Sequence, residues 1–447
     1  MTTTPARVGP HTSVMASIPE TPDKARRPGY APAANTGVGR RGLHTRDRII
    51  GCAAKVFLAN GFHATSLDTI AKAANASRAT VYQYFAGKEE IFRELSAAAG
   101  RDVLDHGERL GGLGPTADGM DALHRWLVEW ADIYDTHAAA FAEYPGIGTE
   151  LSVIDVGTVA ETLARTVTST LRGSALNGLD SEDAAAALMR IPHMVHLYQY
   201  RAMFPLPAPP VVSWSLAVAL QLMLFPETPS EVLRSSASRG AEAPGSSVLE
   251  EAEPAPVVGG APLSPIAQEV LKVSSAMFAE CGYYSVGMEE IAAAADVSRA
   301  TLYRYFSTKD KILAELTHRA VNGIEVQAAA LPKIAGSLTE WMLGYVRFHR
   351  AYRGVIRAWF DGTVAEQLSG ADVDHGIGAI HQAVAALLST VDLPAGIDAD
   401  VASAVFMAVL GRMSEPTAGP GPDSDERAAE LMVTLLRRSV LREMPAG

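Results

Sequence analysis

One nine-residue stretch occurs twice in this sequence, and the second copy starts 221 positions after the first. The first copy reads SRATVYQYF from Ser77 to Phe85, and the second reads SRATLYRYF from Ser298 to Phe306. The match continues in both directions at the same offset, through the pairs Phe57/Phe278, Gly61/Gly282, Ile70/Ile291, Lys88/Lys309 and Leu95/Leu316. A repeat of this kind means that one structural unit is built twice. We therefore expect the chain to fold as two related halves.

Each copy has the pattern of a helix, a tight turn and a short second helix. Ser77 and Ser298 are expected to cap the second helix, because a serine hydroxyl accepts a hydrogen bond from a free backbone N–H at a helix start. Apolar residues before the turn repeat with helical spacing, and residues 74–76 or 295–297 remain for the turn. This order predicts a helix-turn-helix, whose second helix enters the major groove of DNA.

The second helix of each copy carries side chains suited to DNA. Arginine and glutamine reach base edges, and tyrosine hydroxyls and lysine reach phosphates. The predicted contacts to bases or their surroundings are Arg78, Thr80, Gln83, Arg299, Thr301 and Arg304. The predicted phosphate contacts are Tyr82, Tyr84, Lys88, Tyr303, Tyr305 and Lys309. Two alternatives stay open: Tyr82 and Tyr303 mainly pack the head, or the arginines contact only phosphate. Phe85 and Phe306 are assigned to the core.

Both copies resemble the DNA-binding head of the TetR family of transcriptional regulators. The resemblance rests on an aromatic-Gly-aromatic helix end, the pattern Ser-x-x-Thr-(Leu/Val)-Tyr-x-(Tyr/His)-Phe, and a following lysine. These residues are Phe57, Gly61, Phe62, Ser77, Thr80, Val81, Tyr82, Tyr84, Phe85 and Lys88 in the first copy, and Phe278, Gly282, Tyr283, Ser298, Thr301, Leu302, Tyr303, Tyr305, Phe306 and Lys309 in the second. Gly287 departs from the family's usual Thr or Ser cap, at a cost of a few tenths of a kcal/mol, roughly.

The predicted fold class is all-α, with two tandem copies of a helix-turn-helix head plus a helical-bundle body, joined by a disordered linker. The predicted segments are a disordered basic tail (1–42), head 1 (43–100), body 1 (101–226), the linker (227–262), head 2 (263–320) and body 2 (321–447). The tail is interpreted either as a solvated leader or as an arm that reaches phosphates or the minor groove. The linker is rich in Pro, Ser, Ala, Glu and Gly and lacks periodicity.

Composition narrows the class of protein. With 447 residues, 48% of them hydrophobic, the chain can bury two to four domain cores. No apolar run is long enough for a membrane span, no signal peptide is recognisable, and Cys52 and Cys281 are too few for a disulfide framework. We expect a cytoplasmic protein without cofactor or metal. An enzyme or small-molecule carrier is the rival class, but no phosphate loop, nucleophile elbow or HExxH motif supports it.

The net charge of −12 hides an uneven distribution. Residues 40–101 contain ten Lys and Arg against five Asp and Glu, whereas residues 264–319 contain six against seven. Because phosphate neutralisation supplies much of the affinity for DNA, head 1 is expected to bind more strongly than head 2. A rival interpretation follows, in which only head 1 binds DNA and the second copy serves pairing and ligand sensing.

The resemblance also implies roles for the bodies. Family members dimerise through the last two helices of the body, which correspond to about 182–226 and 398–443 here, and bind a small apolar effector inside each body. Two bodies in one chain suggest an intramolecular pseudo-dimer, while a homodimer with four heads stays open. The predicted pocket residues are Trp126, Trp130, Tyr134, His193, Tyr198, Trp341, Tyr345 and His349. Ordinary core packing is the alternative for each of them, and a metal pair at His193 and His196 lacks a third ligand.

Taken together, the sequence predicts a regulator of transcription, released from a double-stranded DNA operator by a small effector. The operator is expected to be an imperfect palindrome, because the heads share Ser-Arg-Ala-Thr but differ at Gln83 and Arg304. These two side chains favour adenine and guanine respectively. Whether the protein represses or activates, and which genes it regulates, does not follow from the sequence.

Overall fold

The computed structural model describes residues 40–143, 156–234, 263–333, 335–359, 370–415 and 424–444, and the regular structure within these ranges is helical. The first half contains α1 (Arg40–Asn60), α2 (Leu67–Ala73), α3 (Arg78–Tyr84), α4 (Lys88–Glu108), α5 (Ala117–Thr136), α6 (Ala138–Glu143), α7 (Val156–Leu171), α8 (Ser181–Tyr200) and α9 (Pro209–Leu224). The second half contains α10 (Pro265–Cys281), α11 (Met288–Ala294), α12 (Arg299–Tyr305), α13 (Lys309–Ala329), α14 (Leu338–Trp359), α15 (Gly370–Leu388), α16 (Ala399–Arg412) and α17 (Ser424–Arg438). The all-α prediction is confirmed.

The two heads are attached to their bodies differently. Head 1, formed by α1 to α3 and the start of α4, has a separate core around Phe57, Val81 and Phe85, which Ala139 of α6 completes. Head 2 shares one continuous core with both bodies. Its α10 lies directly on α14, where Ser275 Oγ donates a hydrogen bond to Ala351 O at 2.8 Å. Head 2 is therefore joined to its body over a wider surface than head 1.

Four helices bring the two halves together. In α9 every residue from Ser215 to Leu224 is buried, and in α16 every residue from Val401 to Leu410 is buried. A helix that is apolar on all sides needs neighbours on all sides. Here α8 and α9 of the first half pack on α16, and α9 also packs on α17.

Polar contacts fix the alignment of this four-helix contact. Arg438 Nη1 donates to Leu176 O at 3.0 Å and to Met223 O at 3.1 Å. Arg190 Nη1 donates to Arg412 O at 3.1 Å. Because these arginines reach main-chain carbonyls across the contact, a shift of one half along the other would break several hydrogen bonds at once.

Two of the predicted segment boundaries differ from those in the structure. The helix of head 1 begins at Arg40, inside the predicted tail 1–42, and residues 1–39 lie outside the described residues. The predicted linker 227–262 starts too early, because Thr228 and Leu233 are buried against the first body. Their burial follows from a turn after α9 that the Pro- and Ser-rich composition did not reveal. The rest of the linker, 235–262, lies outside the described residues. Among the described helices, none combines the length and apolarity needed to cross a membrane.

Replacement of Gly396 tests the contact between the two halves of the chain. Its φ is +90°, and a Cβ atom placed on it would overlap Leu233 O and lie 3.2 Å from Val218 Cγ2 of the other half. We expect Gly396→Ala to lower the free energy of unfolding by about 1–3 kcal/mol, because a left-handed alanine is strained and the neighbouring backbone must move. Urea denaturation followed by circular dichroism measures this loss.

The matched control is Gly344→Ala in α14, where an added Cβ would meet nothing within 4 Å. This change is expected to be neutral or stabilising, because alanine favours helix over glycine. Equal losses in the two variants would contradict the structural role given to Gly396.

Candidate nucleic-acid interface

The second helix of each helix-turn-helix, α3 in head 1 and α12 in head 2, is the reading helix. Both reading helices begin in the same way. Ser77 Oγ accepts from Thr80 N at 3.0 Å, and Ser298 Oγ accepts from Thr301 N at 3.1 Å. In the turn before each helix, Asn75 has a φ of 46° and Asp296 a φ of 52°. Short polar residues of this type tolerate the left-handed conformation. The predicted serine caps and three-residue turns are thus present.

The reading helices turn their polar side chains outward. Val81 and Leu302 are fully buried, and Phe85 and Phe306 are buried as expected of core residues. Arg78, Gln83, Arg299, Tyr303 and Arg304 are exposed, and Thr80, Tyr82, Tyr84, Thr301 and Tyr305 are half-buried. The arginines and the glutamine among the predicted base contacts are therefore accessible in each head, and the two threonines are partly so.

A carboxylate faces the first arginine of each reading helix. Arg78 Nε lies 3.2 Å from Asp68 Oδ1, and Arg78 Nη2 donates to Tyr82 OH at 3.3 Å. Arg299 forms the corresponding ion pair with Glu289, and Asp68 and Glu289 are again 221 positions apart. Sequence reasoning missed this pairing, although the shared offset of the two acids was available as a signal. DNA must compete with these carboxylates for the arginines.

Lys88 and Lys309 do not lie on the reading helices, and their ammonium groups bind main-chain carbonyls. Lys88 Nζ donates to the carbonyls of Phe62 at 2.8 Å, His63 at 3.0 Å and Thr65 at 2.8 Å. Lys309 Nζ donates to Tyr283 O at 2.7 Å and Val286 O at 2.8 Å, and burial lowers its pKa. Both ammonium groups thus hold the loop between the first two helices of a head. Their predicted phosphate contacts stay predictions.

The two heads touch each other through that same loop. The His63 ring stacks on the Tyr284 ring, with 3.9 Å between centroids and 27° between planes. These residues occupy equivalent places in the repeat, 221 positions apart. Two equivalent points that meet each other indicate an approximate two-fold axis between the heads.

The predicted pocket residues divide between the two bodies. Trp126 Nε1 donates to His106 O at 3.1 Å, and Trp341 Nε1 donates to Gln327 O at 3.0 Å. Because His106 and Gln327 are 221 positions apart in α4 and α13, the two tryptophans are equivalent. Trp130 and Tyr134, one and two turns later in α5, then correspond to Tyr345 and His349 in α14.

In the first body Tyr134 lies at the centre of a ring cluster. Its centroid is 4.7 Å from that of Phe141, 5.8 Å from His193 and 5.6 Å from His196. In the second body His349 Nδ1 is hydrogen-bonded to Ser414 Oγ at 2.8 Å. Tyr198 belongs to neither group, because its ring packs on Phe204, whose ring stacks on His381 of the second half. In the described residues, no group of three or more His, Cys, Asp or Glu side chains is placed to hold a metal ion.

Both heads therefore define the chain as a helix-turn-helix DNA-binding protein. The model of the bacterial regulatory proteins of the tetR family matches residues 49–95 and 270–316, which span both helix-turn-helix units. The chain belongs to the TetR family of transcriptional regulators and carries the family's DNA-binding domain twice.

Several regulators are similar to parts of the chain. The HTH-type transcriptional regulator YhgD of Bacillus subtilis is 26% identical over 31% of this chain and 71% of its own length. The regulator Rv1255c of Mycobacterium tuberculosis is 42% identical over 12% of this chain and 26% of its own length, and QacR of Staphylococcus aureus is 34% identical over 12% and 28%. Except for YhgD, the match thus spans less than a third of these relatives. FadR of Bacillus subtilis, solved in complex with stearoyl-CoA, shares 18% identity with a TM-score of 0.31, over 39% of this chain and 96% of that one.

Replacement of Lys88 tests whether this lysine only holds the loop or also contacts a phosphate. We expect Lys88→Met to lower the free energy of unfolding by about 2 kcal/mol, because three carbonyls lose a charged donor. If Lys88 only holds the loop, the slope of the logarithm of DNA affinity against the logarithm of salt concentration stays unchanged. A drop in this slope of about 0.9 would show that Lys88 also neutralises a phosphate. Lys55→Met, an exposed position on α1, is the matched control for the removal of one positive charge.

Proposed function

We propose that this TetR-type regulator works as a single-chain pseudo-dimer, in which the two heads read the two halves of one imperfect palindrome. The contact between His63 and Tyr284 carries this proposal, because equivalent residues of the two heads meet there. A homodimer supplies two heads related by a two-fold axis, and palindromic operators mirror that symmetry. The approximate axis between these heads supplies the same arrangement within one chain.

The buried contact between the bodies supports the same arrangement. Helices α8, α9, α16 and α17 cover each other's apolar faces within the chain. A second chain is then not needed to shield these faces from water. Assembly of one chain with another is the rival, and it predicts four heads in each complex.

Release by a small molecule is the second part of the proposal. An effector that binds more tightly to the arrangement of heads that does not fit DNA must weaken DNA binding by the same coupling free energy. The bodies are the proposed place for the effector, because they contain the buried clusters of aromatic and histidine rings. Repression is the proposed sign of regulation.

The stoichiometry of the DNA complex tests the pseudo-dimer. We expect the purified chain, mixed with DNA from upstream of its own gene, to form a complex with one 47.3 kDa chain per operator. Native mass spectrometry and light scattering measure its mass. Two chains per operator would replace the pseudo-dimer by pairing between chains, and no complex at low salt would contradict DNA binding at this site.

Matched variants in the two heads test whether both read DNA. Arg299→Ala with Arg304→Ala removes two exposed side chains of head 2, and Arg78→Ala with Gln83→Ala does the same in head 1. Each double variant is expected to weaken operator binding at least about tenfold, since each arginine or bidentate base contact contributes about 1–3 kcal/mol. Unchanged affinity of the head 2 variant alone would favour the interpretation in which only head 1 binds DNA.

The difference between Gln83 and Arg304 tests base reading. We expect Gln83→Arg to shift the preferred base in one half-site from adenine to guanine, because arginine pairs with guanine and glutamine with adenine. The preferred operator then becomes more nearly palindromic, and selection from a randomised DNA library measures this change. Gln83→Met, which keeps the length of the side chain without its amide, is the control. If Gln83→Arg left the preference untouched, this position would not read bases.

A further inference from the structure

The interior of the first body contains a continuous row of buried polar atoms without hydrogen-bond partners. Nε1 of Trp130, the hydroxyl of Tyr134 and Nε2 of His196 are in this state among the described residues. These residues are at most 7% exposed. Neighbouring ring centroids are 6.2 Å apart for Trp130 and Tyr134, and 5.6 Å for Tyr134 and His196.

Unpaired buried polar groups are rare in native proteins and each needs a reason. An unpaired hydroxyl or ring N–H in an apolar interior costs free energy that folding must offset. A row of three such residues in one body is therefore unlike ordinary core packing. A ligand that supplies the missing partners accounts for the row.

The second body serves as an internal comparison. Tyr134 corresponds to His349, as the shared position of Trp126 and Trp341 shows. His196 corresponds to Ser414, since Asp180 and Asp398 cap α8 and α16 and both residues lie sixteen positions after their caps. Where the first body has two unpaired groups, the second body has a hydrogen bond of 2.8 Å between His349 Nδ1 and Ser414 Oγ.

We infer that each chain binds one effector molecule, in the first of its two bodies, at the row formed by Trp130, Tyr134 and His196. The effector is a neutral aromatic molecule with carbonyl or ether oxygens. This inference rests on the proposed release by a small molecule and specifies its site. The second body, with its polar pair closed, serves as the structural partner.

The chemistry of the row sets the class of the ligand. Trp130 Nε1 is a donor only, and a tyrosine hydroxyl and a neutral imidazole can each donate. Oxygen acceptors on the ligand match these donors. Burial lowers the pKa of His196 to about 4 and raises the pKa of Tyr134, so both groups are uncharged at neutral pH. Phe141, whose ring stacks on Tyr134, adds an aromatic face beside the row, and aromatic faces suit an aromatic ligand.

Binding of 7-methoxycoumarin, a neutral flat lactone, to the DNA-free chain tests the inference. Isothermal titration is expected to give one molecule per chain. Tyr134→Phe is expected to weaken binding about five- to tenfold, because it removes only the hydroxyl. Tyr345→Phe makes the same change at a predicted pocket residue of the second body, which the single-site inference leaves without a ligand, and is expected to leave the affinity within about twofold of the original. Binding of 2-methoxynaphthalene, which has the same shape without the lactone oxygens, is expected to be at least about tenfold weaker.

A swap of the polar pair provides a second measurement. Tyr134→His with His196→Ser gives the first body the bonded pair of the second, and is expected to abolish binding while the urea midpoint of unfolding stays the same or rises. Two molecules per chain, or weakening by Tyr345→Phe instead of Tyr134→Phe, would overturn the single site. Absence of binding up to the solubility limit would overturn the assigned ligand chemistry.

The DNA complex distinguishes failure of this inference from failure of the proposed function. One molecule bound per chain without release of upstream DNA would keep the site and contradict ligand release. Release of DNA by the coumarin in the Tyr134→Phe and swapped variants at unchanged concentration would keep ligand release and overturn the site.

Discussion

The structure depends on the burial of helices that have no polar side to turn to water. From Ser215 to Leu224 no residue of α9 is exposed, and α16 is equally enclosed from Val401 to Leu410. Such helices are stable only when other apolar surfaces surround them, and the strongest driving force for this is the removal of apolar area from water. The two halves of the chain supply these surfaces to each other, so the relative position of the heads is a consequence of the packing of the bodies.

The two heads are attached to the bodies in different ways. Head 2 continues the core of the bodies, and Gly354 lets α10 and α14 approach so closely that a Cβ would overlap the backbone at Ser275. Head 1 keeps its own core and meets its body through α6. Phe141 of α6 also packs on Tyr134 and Trp130. The ring cluster of the first body and head 1, the head with the more positive charge, are therefore both in contact with α6.

Several features of the site followed from local patterns. The serine caps, the turn at Asn75 and Asp296, and the outward face of the reading helices depend on residues within a few positions of each other. The roles of Lys88 and Lys309 did not follow, because the carbonyls that they bind lie 23 to 26 positions away. A lysine at a helix start is equally compatible with a phosphate contact and with a buried hydrogen-bond network until the loop is placed.

The sequence by itself determined the repeat, the all-α class, the two reading helices and their difference at Gln83 and Arg304. All of these depend on spacing along the chain, which fixes local hydrogen bonds and helical faces. Only the tertiary structure decided that His63 meets Tyr284, that Tyr198 packs between the halves, and that Tyr134 and His196 lie unpaired where His349 and Ser414 are bonded. Those partners are distant in sequence, and which of them meet is set by how apolar helix faces pack rather than by any local preference.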